Sequence, residues 1–440
     1  MVLAINLAKY HAALENSYIQ KFGRVSQVVG LTIESIGPDV NVGHTCLIKS
    51  SKTARPVMAE VVGFKEASIL LMPLGGMSGI GPGSLVEATG KPITVRVSEQ
   101  LLGRVLDGLG HPMDGKPPPS GGDEYHVTNA PPNPLARKRI REPLSLGVKA
   151  IDGLLTIGKG QRVGIFAGSG VGKSTLMGMI ARNTKADINI IALIGERGRE
   201  VREFIEKDLG EEGLKRSALV IATSDQPALL RLKAAEVATS IAEYFRWKGK
   251  DVMLLMDSLT RYAMAQREVG LAAGEPPVSR GYTPSVFAAM PKLLERAGNS
   301  DKGSITGLYT VLVDGDDLTE PVTDTARGIL DGHIVLNRKI ANRNHYPAID
   351  VLASVSRVMS DIVTQEHKAA ANQIKKSMAV YADAEDLISI GAYVKGSNPD
   401  IDEAVAKHAP IEGFLTQGTE ENFAFAQTRD TMDQILTVQA

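Results

Sequence analysis

Short apolar runs punctuated by turn residues fill residues 22–92: Val25 to Ile36, Thr45 to Ile48, Val57 to Phe64, Ser68 to Met72 and Ser84 to Ala88. With Gly37-Pro38-Asp39 and Gly81-Pro82-Gly83 between them, regular short strands predict a small β-barrel. Upstream, Leu3, Leu7, Tyr10, Leu14 and Ile19 follow a helical repeat that no glycine or proline interrupts, which predicts an amphipathic helix. From about 145 to 358 apolar runs alternate with helical patterns. The candidate strands are Val163–Phe166, Ile188–Ile194, Ala218–Thr223, Val252–Met256, Ile305–Val313 and Gly332–Leu336, and the long helical patterns fall at 198–208 and 227–248. That alternation predicts an α/β domain with a mainly parallel sheet. Residues 360–440 carry helical patterns and almost no strand signal, so they read as a small helical domain. The proline- and glycine-rich stretch 115–135 reads as an exposed connection.

Composition narrows the class. The chain has 440 residues, 43% hydrophobic and 22% charged, enough for about three domains with ordinary cores. A formal net charge of -1 gives no sequence-independent attraction to nucleic acid or to an anionic membrane. The local cluster Arg137, Lys138, Arg139 and Arg141 reads as a solvated linker. One cysteine, Cys46, allows no disulfide within the chain and fits a reducing compartment. No stretch approaches a membrane span, and Met1 to Lys21 does not read as a secretion signal. The expectation is a cytoplasmic protein.

The most specific chemical signal is Ala167-Gly168-Ser169-Gly170-Val171-Gly172-Lys173-Ser174-Thr175, placed between a candidate strand and a helical run. Glycines there let several N–H groups turn inward toward phosphate oxygens, and the helix that follows adds positive charge at its N-terminus. Lys173 can reach the terminal phosphates and Ser174 can offer its hydroxyl to Mg²⁺. Asp257 ends the apolar run Val252–Met256, where a nucleotide hydrolase holds its metal through water. Glu196 follows another apolar run. From that segment alone a water-polarising carboxylate and a helix-capping or surface glutamate fit equally. Arg357, after Ser354-Val355-Ser356, fits either a guanidinium offered to a transferring phosphoryl group or an ordinary surface arginine. Tyr346, before Pro347, fits a base-stacking ring or a core tyrosine.

Taken in order, these segments resemble the rotary-type hexameric ATPases: catalytic subunits of ATP synthases and their relatives in type III protein export. The resemblance runs from about residue 22 into the C-terminal domain. It is carried by Gly103 to Gly110, Phe166 to Met179, Gly195 to Phe204, Ser224 to Ala228, Ser258-Leu259-Thr260-Arg261-Tyr262, Ala263 to Glu268, Gly274-Glu275-Pro276-Pro277, Gly281 to Phe287, Asp314-Gly315-Asp316-Asp317 and Gly328 to Ile334. The detailed likeness is to the flagellar members of the export ATPases, and the export branch is also similar in having alanine at the position of Ala167.

The resemblance implies a RecA-like P-loop core at 93–359, a barrel at 22–92, a helical domain at 360–440 and an N-terminal helix at 1–21. It implies that Gly168, Ser169, Gly170, Val171, Gly172, Lys173, Ser174 and Thr175 bind ATP, with Tyr346 on the adenine. Ser174 and Asp257 would hold Mg²⁺, Glu196 would orient the attacking water, Arg197 would support the phosphate site, and Arg357 would be the finger entering a neighbour's site. Because both Glu196 and Arg357 occur in this one chain, a homohexamer with nucleotide at each interface is expected. The implied partners are a stator-like regulator on the N-terminal helix, an export gate, a stalk protein and chaperone–substrate complexes, with the ring peripheral to a membrane export apparatus. Gly391 to Pro399 lacks the acidic stretch with which the synthase subunit meets its rotor. Two other readings are a virulence-system export ATPase and a non-catalytic ring subunit; Glu196 speaks against the second. A ring-shaped RNA translocase is disfavoured by the near-neutral charge and by the lack of an aromatic-rich platform in residues 22–92.

Overall fold

A computed structural model of the chain describes residues 21–50, 55–313, 317 and 319–438. The helix expected over 1–20 lies outside them, as do Asp314, Gly315 and Asp316. Two compact units divide the chain: residues up to Ile93 with Leu271–Glu275, and Thr94–Gly270 with Pro276 onward.

In the first unit six antiparallel strands close into the expected barrel. They are β1 (Phe22–Val29), β2 (Thr32–Ile36), β3 (His44–Lys49), β4 (Val57–Lys65), β5 (Ser68–Pro73) and β6 (Leu85–Pro92), ordered β1-β2-β5-β4-β3-β6. Alternate residues point inward, so Val25, Ile33, Cys46, Ile48, Ala59, Val61, Ile69, Leu71 and Val86 form one core. The apolar run Val25 to Ile36 is two strands. Gly30, at φ +58°, reverses the chain where hydrophobicity alone shows no break. Burial pushes the Cys46 thiol up to about 11, so the sulfur packs as a small hydrophobe.

In the second unit β7 (Thr94–Val97) pairs with β9 (Asp123–His126), and the remaining strands build one large sheet. These are β8 (Arg104–Asp107), β10 (Arg162–Ala167), β11 (Ile188–Ile194), β12 (Ser217–Ala222), β13 (Asp251–Asp257), β14 (Gly298–Asn299), β15 (Ser304–Leu312), β16 (Gly332–Leu336) and β17 (Ile349–Ser356). The order is β17-β16-β10-β15-β13-β11-β12-β8, with β14 beside β15. From β16 through β8 the neighbours run parallel; β17 runs antiparallel to β16. β10 to β13 are almost wholly buried, as strands covered on both faces must be. This bears out the α/β core.

Five strands of this unit, β7, β8, β9, β14 and β17, fall outside the runs predicted from the sequence. The first four have two to four residues, and β17, at the sheet edge, is half-exposed, so all carry a weak pattern. The helical pattern at 198–208 is a helix at Gly198–Glu203, a π-helical turn at Phe204–Leu209 and a helix at Gly210–Lys215. The pattern at 227–248 is one helix, Ala228–Trp247.

The segment 115–135 is not simply an exposed connection. It contains β9, and beyond it Val127 is fully buried. Arg296 donates to the Val127 carbonyl at 3.0 Å and to both oxygens of Glu243 at 2.9 and 2.8 Å. Ser240 donates to the carbonyls of His126 and Val127, and Asn129 donates to Glu243 at 2.9 Å. A buried charge pair thus anchors a segment whose composition reads as linker. Arg137 likewise leaves the solvated cluster and donates to the carbonyls of Ala297 and Glu295, whereas Lys138, Arg139 and Arg141 are exposed.

Helices Gln365–Ser389, Pro399–Leu415 and Phe425–Leu436 follow the sheet, as the pattern at 360–440 predicts. Thr364 and Asn398 cap the first two through their side chains, satisfying backbone donors that open each helix. Ile374, Ile411, Phe414, Leu415, Met432 and Ile435 join the same apolar core as Leu154, Leu176 and Ile349. Among the described residues no helix is long and apolar enough to cross a membrane.

Candidate active site

β10 ends at Ala167, and the chain turns through Gly168–Gly172 into the helix Lys173–Asn183. Gly170 and Gly172 hold φ of +77° and +87°, values that turn successive N–H groups to one side and that a side chain disfavours. Val171, 2% exposed, is pinned in the core, so the loop is fastened at its middle. Ser169 and Gly170 are exposed, and the Ser169 carbonyl accepts a long contact, 3.4 Å, from Arg338. Thr175 turns its hydroxyl to Asp208 in the π-helical turn.

Tyr346 comes from the other end of the sequence to this loop. Its ring lies where a Cβ on Gly172 would be 3.4 Å away. The Tyr346 carbonyl accepts from the Gln417 N–H at 2.9 Å, and the buried Gln417 amide binds the Gly147 carbonyl and the Lys149 N–H. The C-terminal segment therefore helps to set the aromatic ring.

β10, β11, β13 and β15 end on the same edge, which brings three charged residues together. Lys173 Nζ lies 2.6 Å from Asp257 Oδ1 and 3.6 Å from Glu196 Oε1. Thr310, on β15, donates to the same Asp257 oxygen at 2.6 Å. Glu196 Oε1 is buried and finds no hydrogen-bond partner. Burial pushes the Glu196 carboxyl up to about 7, reinforced by the Asp257 charge and opposed by Lys173. Burial works against the Lys173 charge, yet Asp257 and Glu196 outweigh it and raise its pKa.

Arg261, in the segment Ser258 to Tyr262, has no role predicted from the sequence. Gly195, at φ +70°, leaves space in which the Arg261 side chain lies 2.9 Å from where a Cβ would be. The Arg261 Nε is buried without a partner. Arg197, in contrast, directs its guanidinium to solvent, 81% exposed, and pairs with Glu200 at 3.5 Å.

Arg357 stands at the opposite edge of the sheet. Gly332 pairs with Ser356, and Arg162 begins β10 beside Asp331. The Arg357 N–H donates to the Asp331 carbonyl and its Nη2 to the Arg327 carbonyl, each at 3.1 Å. Burial, then the Arg327 charge, holds His333 below the ordinary histidine range, and Arg357 adds to that. The length of β10, roughly 20 Å at the usual rise per residue, separates this cationic edge from Lys173. Arg357 cannot reach the phosphate loop of its own chain.

Residues 147–356 match the model of the "ATP synthase alpha/beta family, nucleotide-binding domain", 25–90 its "beta-barrel domain", and 363–434 the "T3SS EscN ATPase C-terminal domain". The chain is 59% identical over 409 residues, 93% of each chain, to the flagellum-specific ATP synthase of Bacillus subtilis (strain 168). It is 49% identical over 416 residues, 94% of each, to the type 3 secretion system ATPase of Xanthomonas euvesicatoria. The solved structure of the assembled ATPase EscN from the enteropathogenic E. coli type III secretion system superposes with a TM-score of 0.90 at 47% identity, covering 94% of this chain and 100% of that one. EscN in complex with its central stalk EscO gives 0.88. Barrel, phosphate loop, sheet and C-terminal helices thus all have counterparts in one lineage, and the chain belongs to the ATP synthase alpha/beta family, among its flagellar and type III secretion ATPases.

Proposed function

We propose that this chain hydrolyses ATP with Mg²⁺ and so energises type III export of flagellar proteins, working as a homohexameric ring. The observation that carries the reading is the position of Lys173, held between Asp257 and Glu196 where a glycine loop opens a helix, with Arg357 on the far edge of the same sheet.

Each group then has a role its geometry supports. The loop amides from Gly168 to Lys173 and the Lys173 ammonium hold the β- and γ-phosphates. Entry of ATP gives Lys173 a new anionic partner and loosens its clasp on the two carboxylates. Glu196, with an unpartnered buried oxygen, orients the water that attacks the γ-phosphorus as the β–γ bridging bond breaks. Tyr346 lies against the adenine, and Arg261 extends its free guanidinium edge toward the same site. Arg197 enters only after leaving Glu200.

The donor set fits Mg²⁺. Among the described residues no three His, Cys, Asp or Glu side chains cluster to cage a metal. A hydroxyl from Ser174 and a carboxylate from Asp257 are what an ion takes when nucleotide phosphates and water complete its shell. When bound, the ion neutralises charge on the β- and γ-oxygens.

A finger that cannot reach its own site requires a neighbour, and closed rings of identical copies supply one at every interface. The hairpin between Ser389 and Pro399 exposes Ile390 and Val394, next to exposed Leu387 in the last turn of the preceding helix, an apolar tip suited to a stalk where the synthase subunit has acidic residues. Residues 1–20 bind the stator-like regulator, and the export gate and chaperone–substrate complexes meet the ring at the cytoplasmic face of the membrane apparatus. The higher identity to the Bacillus flagellar protein favours flagellar over virulence export.

The test is steady-state ATP hydrolysis against protein concentration, with Glu196→Gln as control. Activity per chain that rises with concentration and vanishes in the variant supports interface sites. Equal activity in the variant removes the assignment of Glu196. Restoring motility to a flagellar strain that lacks its export ATPase, and not secretion to a virulence system, separates the two export readings.

A further inference from the structure

Arg357 is rooted on a buried amide. Gln161, fully buried, immediately precedes β10. Its Oε1 accepts from the Gly158 N–H at 2.9 Å. Its Nε2 donates to the Asp331 carbonyl and to Ser356 Oγ, both at 3.1 Å. The same Asp331 carbonyl accepts the Arg357 N–H, and Ser356 Oγ donates onward to the Thr156 carbonyl at 2.8 Å. The Gln161 main chain is committed too: its N–H bonds the Gly158 carbonyl, and its carbonyl accepts from Gly307 on β15. Through its side chain one residue therefore ties together the leading edges of β10 and β16 and the last residue of β17, one position before the finger, and through its carbonyl it holds β15 as well.

We propose that Gln161 is a positioning residue for the arginine finger, a role that rests on reading Arg357 as acting in a neighbouring copy. Side-chain donors and acceptor are all used, and both donors are spent on the two groups that flank Arg357. A buried amide is costly unless every bond is made, and an apolar side chain of the same size would fill the space without fixing any direction. An exposed arginine has many rotamers. Its usefulness to a neighbour depends on a root that does not shift, since a displacement of about 1 Å from productive geometry can cost ~10²-fold in rate.

Gln161 also opens β10, whose other end is the phosphate loop. A purely structural role would thus damage nucleotide binding in the same chain. A finger-positioning role would damage hydrolysis in the next chain. Mixed assemblies separate the two.

The experiment uses full-length Gln161→Met and Ser356→Ala, alone and mixed with Glu196→Gln or Arg357→Ala protein, with binding of a fluorescent ATP analogue measured alongside. Nucleotide affinity is expected within about twofold of the parent and turnover lowered roughly 10- to 100-fold for Gln161→Met, less for Ser356→Ala. Mixing with Glu196→Gln should restore activity, because the variant's intact site then meets an intact finger. Mixing with Arg357→Ala should not, because both chains are defective in the finger. The reverse pattern, or a loss of nucleotide affinity, overturns the proposal in favour of a structural role. Should Gln161→Met fail to fold, Ser356→Ala carries the same mixing test, and normal turnover in it overturns the proposal. If Arg357→Ala mixed with Glu196→Gln shows no rescue, the shared-interface reading fails and this one falls with it; rescue there beside a fully active Gln161→Met overturns this one alone.

Discussion

Tyr346 and Arg357 stand just beyond the two ends of one strand, β17, with the Tyr346 ring against Gly172 of the phosphate loop and Arg357 beside Asp331 at the opposite edge of the sheet. The eight extended residues of β17, roughly 25 Å, lie between them. One nucleotide cannot touch both residues of one chain. The strand works as a spacer between what a chain uses itself and what it presents outward.

Arg357→Ala should therefore leave nucleotide binding by the isolated chain unchanged and lower turnover by on the order of 10³-fold or more. Titration with a fluorescent ATP analogue and steady-state hydrolysis check it. Weakened binding in the monomer would place the arginine in its own chain's site.

Glu196→Gln should keep ATP affinity and lose turnover by about 10²- to 10⁴-fold, the range for loss of a positioned base. The amide fills the same volume next to Lys173 but cannot take a proton. Hydrolysis within a few-fold of the parent would show that another group orients the water.

The raised Glu196 pKa has a consequence for stability. In the nucleotide-free protein the carboxyl titrates near 7 instead of at its ordinary 4.5, so between those values the folded state holds a proton that the unfolded chain has released. Stability from this group is full below about pH 4.5 and is lost as pH rises through 7, by roughly 1–3 kcal/mol. Glu196→Gln cannot ionise and escapes the loss. Its melting temperature should exceed the parent's by a margin that widens from pH 5 to pH 8. A constant margin would mean the carboxyl is not protonated at neutral pH.

Tyr346→Ala should raise the KM for ATP about tenfold, the weight of one aromatic stacking contact, with kcat changed little. Gln417→Ala should move KM in the same direction by a smaller factor, since the backbone N–H that holds the Tyr346 carbonyl survives and only the side-chain bonds to Gly147 and Lys149 that fix it are lost. A large fall in kcat with unchanged KM would remove the ring from the base site.

Arg296→Leu should cost about 3–5 kcal/mol, because it leaves Glu243 buried without its cation. Both side chains are nearly inaccessible, at 4% and 3%. Chemical denaturation measures it. A loss below ~1 kcal/mol would mean that Glu243 finds water or a proton at little cost.

How far the sequence reaches differs from element to element. The glycines at 168–172 and the strand before them are local features, legible because a phosphate loop depends on the backbone angles of adjacent residues. The parallel strands from β10 to β16 are legible for the same reason: each is a continuous apolar run. β17 is not, since an edge strand half in water has no strong period. Gly30 escaped because apolar residues flank it on both sides.

Glu196 and Arg357 show the limit most clearly. Spacing alone left Glu196 evenly balanced between chemistry and surface and made Arg357 an ordinary surface arginine, and only the resemblance to a family gave them roles. The sequence by itself determined the phosphate loop, the carboxylate closing β13, the barrel, the alternating core and the helical C-terminus, all written in neighbouring residues. The tertiary structure alone decided that Lys173 meets Asp257 and Glu196 from separate strands, that Tyr346 returns to Gly172, and that Gln161 gathers Asp331 and Ser356 around the root of Arg357. Those relations join residues up to 195 positions apart, and they follow from strand order and register, which no local pattern of side chains encodes.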